Sequence, residues 1–391
     1  MAKQLKNVVV VAYGRSAIAR SGKKGALREM HPVDMGGLVL KGILERDLPT
    51  LPLDAIEDVI VGCAQPDLKQ GCNIARAIAI RAGLPYSVPG VQINRFCSSG
   101  LQAVAMAAAQ IESGMNEVLV AGGVESMTAV PANYDRSSFF DPWIVENEPG
   151  VYLSMGITAE NVAKKHGITR EEMDAFAAAS HQKAAAARTA GKFAGEIIPL
   201  PGLDADGNPI TFDTDQGIRE NSTVESLAAL KPCFVEDGTV TAATSSQTSD
   251  GAAFVVLMSE EKAKALNIKP IAKFIGFAVA GCDPAYMGEG PIYAVPKVME
   301  LTGLSVEDMD VIELNEAFAA QAIPCIRELG LDPAKVNPNG GAIAMGHPMG
   351  ATGAFLTCKA LNELKRTGGK YALITMCIGH GMGAAGIYEM C

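Results

Sequence analysis

Two thiols and one imidazole stand out along the 391-residue chain because each sits in a setting suited to nucleophilic or acid–base chemistry. Cys97, in "NRFCSSGLQA" (94–103), follows a short apolar run and precedes a small-residue helix expected from Ser98 to about Ser113. A thiol at a helix start meets unpaired N–H groups and the positive end of the helix dipole. Such a setting can lower a cysteine pKa from about 8.5 to roughly 3.5–7.5, which makes a nucleophile. The plain alternative is a small buried hydrophobe, the usual state of a free cysteine. His347, in "NPNGGAIAMGHPMGATGA", lies in a glycine-dense turn before a second helix. Near a helix N-terminus an imidazole stays neutral and can accept a thiol proton or donate to an oxyanion. Cys377 closes the strand "YALITM" and precedes "IGHGMGAAG", whose glycines let backbone N–H groups approach a ligand.

"NEAFA" adds Asn315 and Glu316 directly after the apolar "VIEL". A carboxylate there is a cap, an ion-pair partner, or a group that orients a catalytic water or histidine. Two motifs are set aside. Gly381, Gly383 and Gly386 have GxGxxG spacing, but five residues remain after them, too few for the βαβ unit a dinucleotide needs. "GGVES" (122–126) lacks the pattern of a serine nucleophile elbow, and no phosphate-binding GxxxxGK[ST] occurs.

The elements that must position these groups repeat. In the first half, "VPGVQIN" (88–94) leads through the helix after Cys97 to the strand "NEVLVAGG". In the second half, "AKVNPNGG" (334–341) leads through a helix from about Gly350 to Arg366 to "KYALITMCIG". Strand, helix, strand recurs, so a pseudo-twofold would bring Cys97 and His347 to one place. Leu101, Val104, Ala105, Ala108 and Ile111 recur at helical spacing among Ala and Met, predicting a first helix buried nearly all round. Lys359, Asn362, Lys365 and Arg366 predict a solvated side on the second. Continuous apolar strands joined by helices suit an α/β fold of layered, duplicated halves. The expected division is 1–121 with 250–270 as one half, 122–249 as an inserted loop domain, and 271–391 as the other half. Within the insertion two helices are expected, the second opened by a Thr169–Glu172 capping box, followed by hairpins and loops in "PLPGLDADGNPITFDTDQG".

Bulk composition narrows the class. A net charge of −10 argues against nucleic acid or an anionic membrane as partner, and no apolar run approaches the roughly 20 residues of a membrane span. Nine scattered cysteines without CxxC indicate a reducing compartment, and the five histidines are not at zinc-ligand spacing to them. A cytoplasmic enzyme without metal is expected.

Taken in order, "NRFCSSG", "NEAFA", "GHPMGATG" and "CIGHGMG", with "AGGVESM", "MGITAENVA", "SSQTSDGAA" and "MGEGP", resemble the thiolases nearly end to end. The resemblance implies a thiolase fold of duplicated α-β-α-β-α layers and an acyl-CoA:acetyl-CoA C-acyltransferase, with coenzyme A as substrate and product and no other cofactor. It implies Cys97 as nucleophile, His347 as its base and Cys377 as acid/base at the α-carbon. One oxyanion site would be Asn315, through a water, with His347; the other, the N–H groups of Cys97 and Gly379. Met155, Arg219, Phe234, Ser246, Met287, Ala317 and Phe318 would bind coenzyme A or the acyl group. "NRFCSSGLQ" leans toward 3-ketoacyl-CoA thiolases over the acetoacetyl-CoA-forming branch. Ser154, Ala243, Thr244 and His380 depart from the common pattern, and His380 is expected to alter the proton affinity of Cys377. Homodimer or homotetramer assembly is implied. The rivals are a ketoacyl synthase-like condensing enzyme and a non-catalytic lipid-binding scaffold.

Overall fold

The computed structural model describes residues 5–131 and 133–391. Its strands are β1 (Val8–Arg15), β2 (Ala19–Arg20), β3 (Asp58–Gly62), β4 (Val91–Ile93), β5 (Val118–Ser126), β6 (Leu200–Leu203), β7 (Pro209–Phe212), β8 (Ser249–Ser259), β9 (Ala272–Gly281), β10 (Val311–Leu314), β11 (Tyr371–Ile378) and β12 (Met382–Met390). Its helices are α1 (Pro32–Asp47), α2 (Ile74–Arg81), α3 (Ser99–Glu112), α4 (Pro142–Asn147), α5 (Met155–His166), α6 (Arg170–Thr189), α7 (Val224–Ala228), α8 (Glu260–Ala265), α9 (Gly290–Thr302), α10 (Ala319–Glu328), α11 (Ala342–Met345) and α12 (Met349–Thr367).

Strand pairing writes the duplication twice. On one side β4 and β3 pair in parallel, β3 and β5 in parallel, then β5 with β8 and β8 with β1 antiparallel. On the other β10 and β11 pair in parallel, then β11 with β12 and β12 with β9 antiparallel. A short antiparallel pairing of β1 with β9 joins the halves. The place of β4 in the second half belongs to the 334–341 stretch. Instead of the expected strand it makes a single parallel bridge, Val336 to Ile312. Pro338, which has no N–H to give a ladder, and Asn337, in left-handed backbone, stop the pairing there.

Because alternate residues of a strand face opposite ways, each strand feeds two cores. Val9 and Val11 of β1, with Val118 and Val120 of β5, pack under α1 and α2. Val8 and Val10, Leu119 and Ala121 point the other way, onto α3 and α12, where Ile374 and Met376 of β11 meet them. Leu373 of β11 and Ile387 of β12 face outward again, under α9 and α10. Five layers result: helices, strands, a central helix pair, strands, helices.

The central pair reverses one expectation. α3 carries a partly open stripe, with Ala109 and Glu112 exposed and Gln102 and Met106 half-buried. α12 is the helix enclosed on all sides, every residue from Gly350 to Leu361 being buried. Lys359, expected on a solvated face, is 3% exposed. Its ammonium donates to Glu313 Oε2 at 2.8 Å and to the Gly340 carbonyl at 2.6 Å. The misreading has a physical source: a lysine signals solvent only while no buried acid awaits it, and Glu313 lies on a strand distant in sequence. Lys365 and Arg366, one turn on, do reach solvent.

The excursion between β5 and β8 holds α4 to α7 and the β6–β7 hairpin, with the Thr169–Glu172 capping box opening α6. β5 runs on to Ser126, five residues past residue 121.

Burial pushes the Glu313 carboxyl up to about 7, and Lys359 opposes that rise. Removing the cation alone, as Lys359→Met, is expected to cost about 3–5 kcal/mol of unfolding free energy at pH 8. The deficit should shrink toward pH 5, where Glu313 takes a proton, and Glu313→Gln added to Lys359→Met should restore most of it. Urea denaturation of the two variants at both pH values decides it; a deficit that does not change with pH refutes the charge-based account.

Candidate active site

Cys97 sits in a 3₁₀ turn (Phe96–Ser98) that runs directly into α3. Ser99 builds this turn: its hydroxyl donates to the Phe96 carbonyl at 2.7 Å and accepts from Arg95 N–H at 2.8 Å. The thiol is 6% exposed, and the N–H groups of Gly379 and of Cys97 itself point at its sulfur. Here a second expectation is reversed. Burial outweighs those two donors and pushes the thiol up to about 11, with the buried carboxyl of Glu125 adding to the rise. At rest Cys97 therefore keeps its proton, and a base must take it as the sulfur attacks.

That base is ready on the other half of the fold. His347 lies between α11 and α12, its backbone N–H donating to the Gln247 carbonyl at 3.0 Å. Burial lowers its imidazole to about 4, so the ring is neutral at pH 7. The tautomer follows from Thr352, whose hydroxyl donates to the Pro348 carbonyl at 3.0 Å and so offers its lone pair to the ring. His347 Nδ1, 2.6 Å from that oxygen, must carry the hydrogen. Nε2 is left as the free base, facing Asn315 Nδ2 at 3.4 Å. Asn315 Oδ1, fully buried, has no hydrogen-bond partner among the described residues.

Cys377, near the end of β11, is fully buried. Burial raises its thiol far above the ordinary range, and the neighbouring sulfurs, Cys97 first, raise it further. The structure thus brings Cys97, Gly379 and Cys377 together, and it seats the Cys97 turn against α12 behind His347. Cys377 is raised most by its own burial and then by the sulfurs of Cys97, Cys325 and Cys282, with His380 not among these groups. The exposed His380 ring turns away to Phe96 and Tyr152, at centroid distances of 4.6 and 5.8 Å.

Six of the seven expected binding residues gather beside this group. Met155, Met287, Ala317 and Phe318 share one apolar cluster with Cys377. Phe234 stacks edge-on against Phe318 at 6.0 Å, and Ser246 N–H donates to the Ala317 carbonyl at 2.9 Å. Arg219 stands apart on the exposed surface, tied to α6 by its backbone N–H on His181 Nδ1 at 3.1 Å. Ser154 caps α5 at the surface, while Ala243 and Thr244 turn inward, Thr244 locked into a capping box with Thr241.

Glu316 serves the scaffold. It accepts from Ser180 Oγ at 2.6 Å, Asn337 Nδ2 at 2.9 Å and Ile343 N–H at 3.2 Å, and makes no bond to His347. Two positioning residues escaped the sequence reading. Thr352 could have been found five residues beyond His347, about one helical turn. Glu125, in the set-aside "GGVES", accepts from the N–H groups of Ala64 and Gly350 at 2.8 Å and fastens the start of α12 to β5. No sequence signal marks it, since its partners come from three separate segments.

Nitrogen-15 NMR of His347 tests the tautomer. Nδ1 should be the protonated nitrogen from neutral pH down to about pH 5, with imidazolium forming near 4. Thr352→Val should mix the two tautomers; an unchanged Nδ1–H population would remove Thr352 from this role.

Comparison with known proteins agrees across the whole length. Residues 8–261 match the thiolase N-terminal domain and residues 268–390 the thiolase C-terminal domain. The 3-ketoacyl-CoA thiolase of Bacillus subtilis is 48% identical over 397 aligned positions, covering 99% of this chain and all of its own. That of Vibrio parahaemolyticus is 47% identical over the full length of both. The crystal structure of Bacillus anthracis acetyl-CoA acetyltransferase superposes with a TM-score of 0.91 at 40% identity, over all of both chains. The dimeric peroxisomal thiolase of Saccharomyces cerevisiae superposes at 0.90 with 42% identity, over 99% of this chain and 98% of that one. With the strand order duplicated and both domains matched over nearly the whole length, the chain belongs to the thiolase family of acyltransferases.

Proposed function

We propose that this chain is a 3-ketoacyl-CoA thiolase, cleaving 3-ketoacyl-CoA with coenzyme A and running the condensation in reverse. The observation that carries this reading is the pair of adjacent buried thiols, Cys97 under the Gly379 N–H and Cys377 beside it, with a neutral imidazole on the facing half. In cleavage, His347 Nε2 takes the Cys97 proton as the sulfur bonds to C3 of the substrate. The negative oxygen formed at C3 falls to one set of fixed donors. When the C2–C3 bond breaks, its electron pair passes into the acetyl-CoA enolate, whose oxygen falls to the other set. Cys377 gives its proton to C2. Acetyl-CoA leaves, and a second coenzyme A gives its thiol proton to the Cys377 thiolate and attacks the Cys97 thioester; the shortened acyl-CoA is released as the leaving Cys97 sulfur takes back its proton from His347. Asn315 with His347, and the N–H groups of Cys97 and Gly379, are the two oxyanion sites; one such donor is typically worth about 10²–10³ in rate.

The charges explain the order of events. A thiolate at Cys97 raises the cost of a second thiolate at Cys377. The two sulfurs are therefore not ionised together; once Cys97 is acylated it is neutral and has no proton to exchange, and Cys377 is the thiol left to act as base. A ketoacyl synthase-like enzyme relies on two histidines, so Cys377 as the second acid/base favours a thiolase, and intact Cys97, His347 and Cys377 argue against a non-catalytic scaffold. The acetoacetyl-CoA-forming branch is the less favoured alternative, since the full-length relatives at 47–48% identity bear the 3-ketoacyl-CoA name. Met155, Phe234, Ser246, Met287, Ala317 and Phe318 line the coenzyme A path, and Arg219, on the exposed surface, is left free to meet the nucleotide end of coenzyme A. The chemistry is carried by the chain's own groups, with coenzyme A as substrate and product. A homodimer or homotetramer in the cytoplasm completes the reading, supported by the dimeric yeast structure. No helix among the described residues is long and apolar enough to cross a membrane.

Mixing with acetyl-CoA should leave one acetyl group on Cys97, detected by intact-mass and peptide spectrometry. Cys377→Ala should keep that adduct yet lose about 10²–10⁴ in thiolysis and condensation. Full condensation by Cys377→Ala, or no adduct in the unaltered enzyme, would overturn the assignment.

A further inference from the structure

The rings around His380 form a feature that the reaction steps leave unused. Phe96 and His380 flank the chemistry in the chain, one residue before Cys97 and one after Gly379. Both sit in left-handed backbone, φ +44° for Phe96 and +66° for His380, a conformation that non-glycine residues adopt at a cost and that concentrates at functional sites. The result of both turns is a stack. The Phe96 and His380 rings meet edge to face at 4.6 Å, His380 and Tyr152 at 5.8 Å, Tyr152 and Phe140 at 5.0 Å. Phe140 lies at the surface, 48% exposed, and its segment is pinned by the Asp141 N–H donating to the Tyr152 hydroxyl at 3.3 Å. A continuous lane of four rings therefore runs from beside the nucleophile to solvent.

This lane differs from the path assigned to coenzyme A. That path runs by Phe234 and Phe318, and the segment leading into α5 touches both: Tyr152, three residues before the helix, reaches His380, while Gly156 in its first turn has its open side filled by the Phe234 ring. Met155 stands between, near the Gly379 end of the lane. His380 is exposed on one side, and the partial desolvation by the rings on its other side holds its imidazole below its ordinary range. An open-ended apolar lane favours an apolar tail without capping its length.

We propose that the acyl tail lies along the Phe96–His380–Tyr152–Phe140 lane, that the chain prefers 3-ketoacyl groups with apolar tails running beyond C4, and that His380 is the specificity-determining residue. The inference rests on the thiolysis reading above. A tail that reaches His380 gains contact that a four-carbon substrate does not, and apolar contact of one or two methylenes is worth about tenfold or more in kcat/KM.

The test compares thiolysis of 3-ketoacyl-CoA substrates of four, eight and twelve carbons by the full-length enzyme, His380→Gly and Phe140→Ala. Glycine suits a φ of +66°, so His380→Gly removes the ring without straining the turn. The kcat/KM ratio of twelve to four carbons should fall about tenfold in His380→Gly and by a smaller factor in Phe140→Ala, whose loss should appear only with the longer tails. If the ratio stays within twofold of the unaltered enzyme in both variants, or if His380→Gly lowers all three lengths equally, the lane is not the acyl site. An unaltered enzyme that cleaves none of the three overturns the reaction itself along with the lane; an active one with an unmoved ratio overturns the lane alone.

Discussion

The structure depends on one close approach, between α3 and α12 at the centre of the five layers. Side chains would hold two helices about 8–10 Å apart, and here the backbones come closer. A Cβ on Gly100 would stand 2.8 Å from Ala354 N, and one on Gly353 2.3 Å from Leu101 N. Because these helices begin at the Cys97 turn and the His347 turn, their approach sets the site. Everything else can be read as holding that crossing in place: Glu125 ties the start of α12 to β5, and the Gln247 carbonyl takes the His347 N–H.

Burial at that crossing determines the electrostatics. In a low-dielectric interior, charged forms are disfavoured, so acids rise and bases fall. Both thiols are protonated and the imidazole is bare, leaving the resting site neutral. A neutral site costs little to bury, and its fixed N–H donors are worth most when negative charge develops on substrate oxygen. Reactivity is thus withheld until substrate arrives; a cysteine already ionised at rest would be open to adventitious oxidation.

Much of this was legible in the chain. Continuous apolar runs located β5 and β11, helical spacing located α3 and α12 to within a few residues, and a capping box marked the start of α6, because each of these signals is local. Where legibility failed, a distant partner was responsible. Lys359 reads as a surface residue until Glu313 is placed beside it. The 334–341 stretch reads as a strand by analogy with 88–94, yet makes one bridge. The low Cys97 pKa expected from the helix start was a local argument, and the non-local term, desolvation, is larger.

The sequence by itself determined which atoms could react and which segments would be strands and helices, since residue type and periodicity are local properties. It also carried the duplication, as the same order of elements written twice. Only the tertiary structure decided which helix would be sealed in the centre, which nitrogen of His347 would be bare, and that Cys97 would keep its proton. Those outcomes depend on desolvation and on which hydrogen-bond partners the packing leaves available, as with Thr352 beside His347 and Glu313 opposite Lys359, and no local pattern encodes how far a side chain ends up from water.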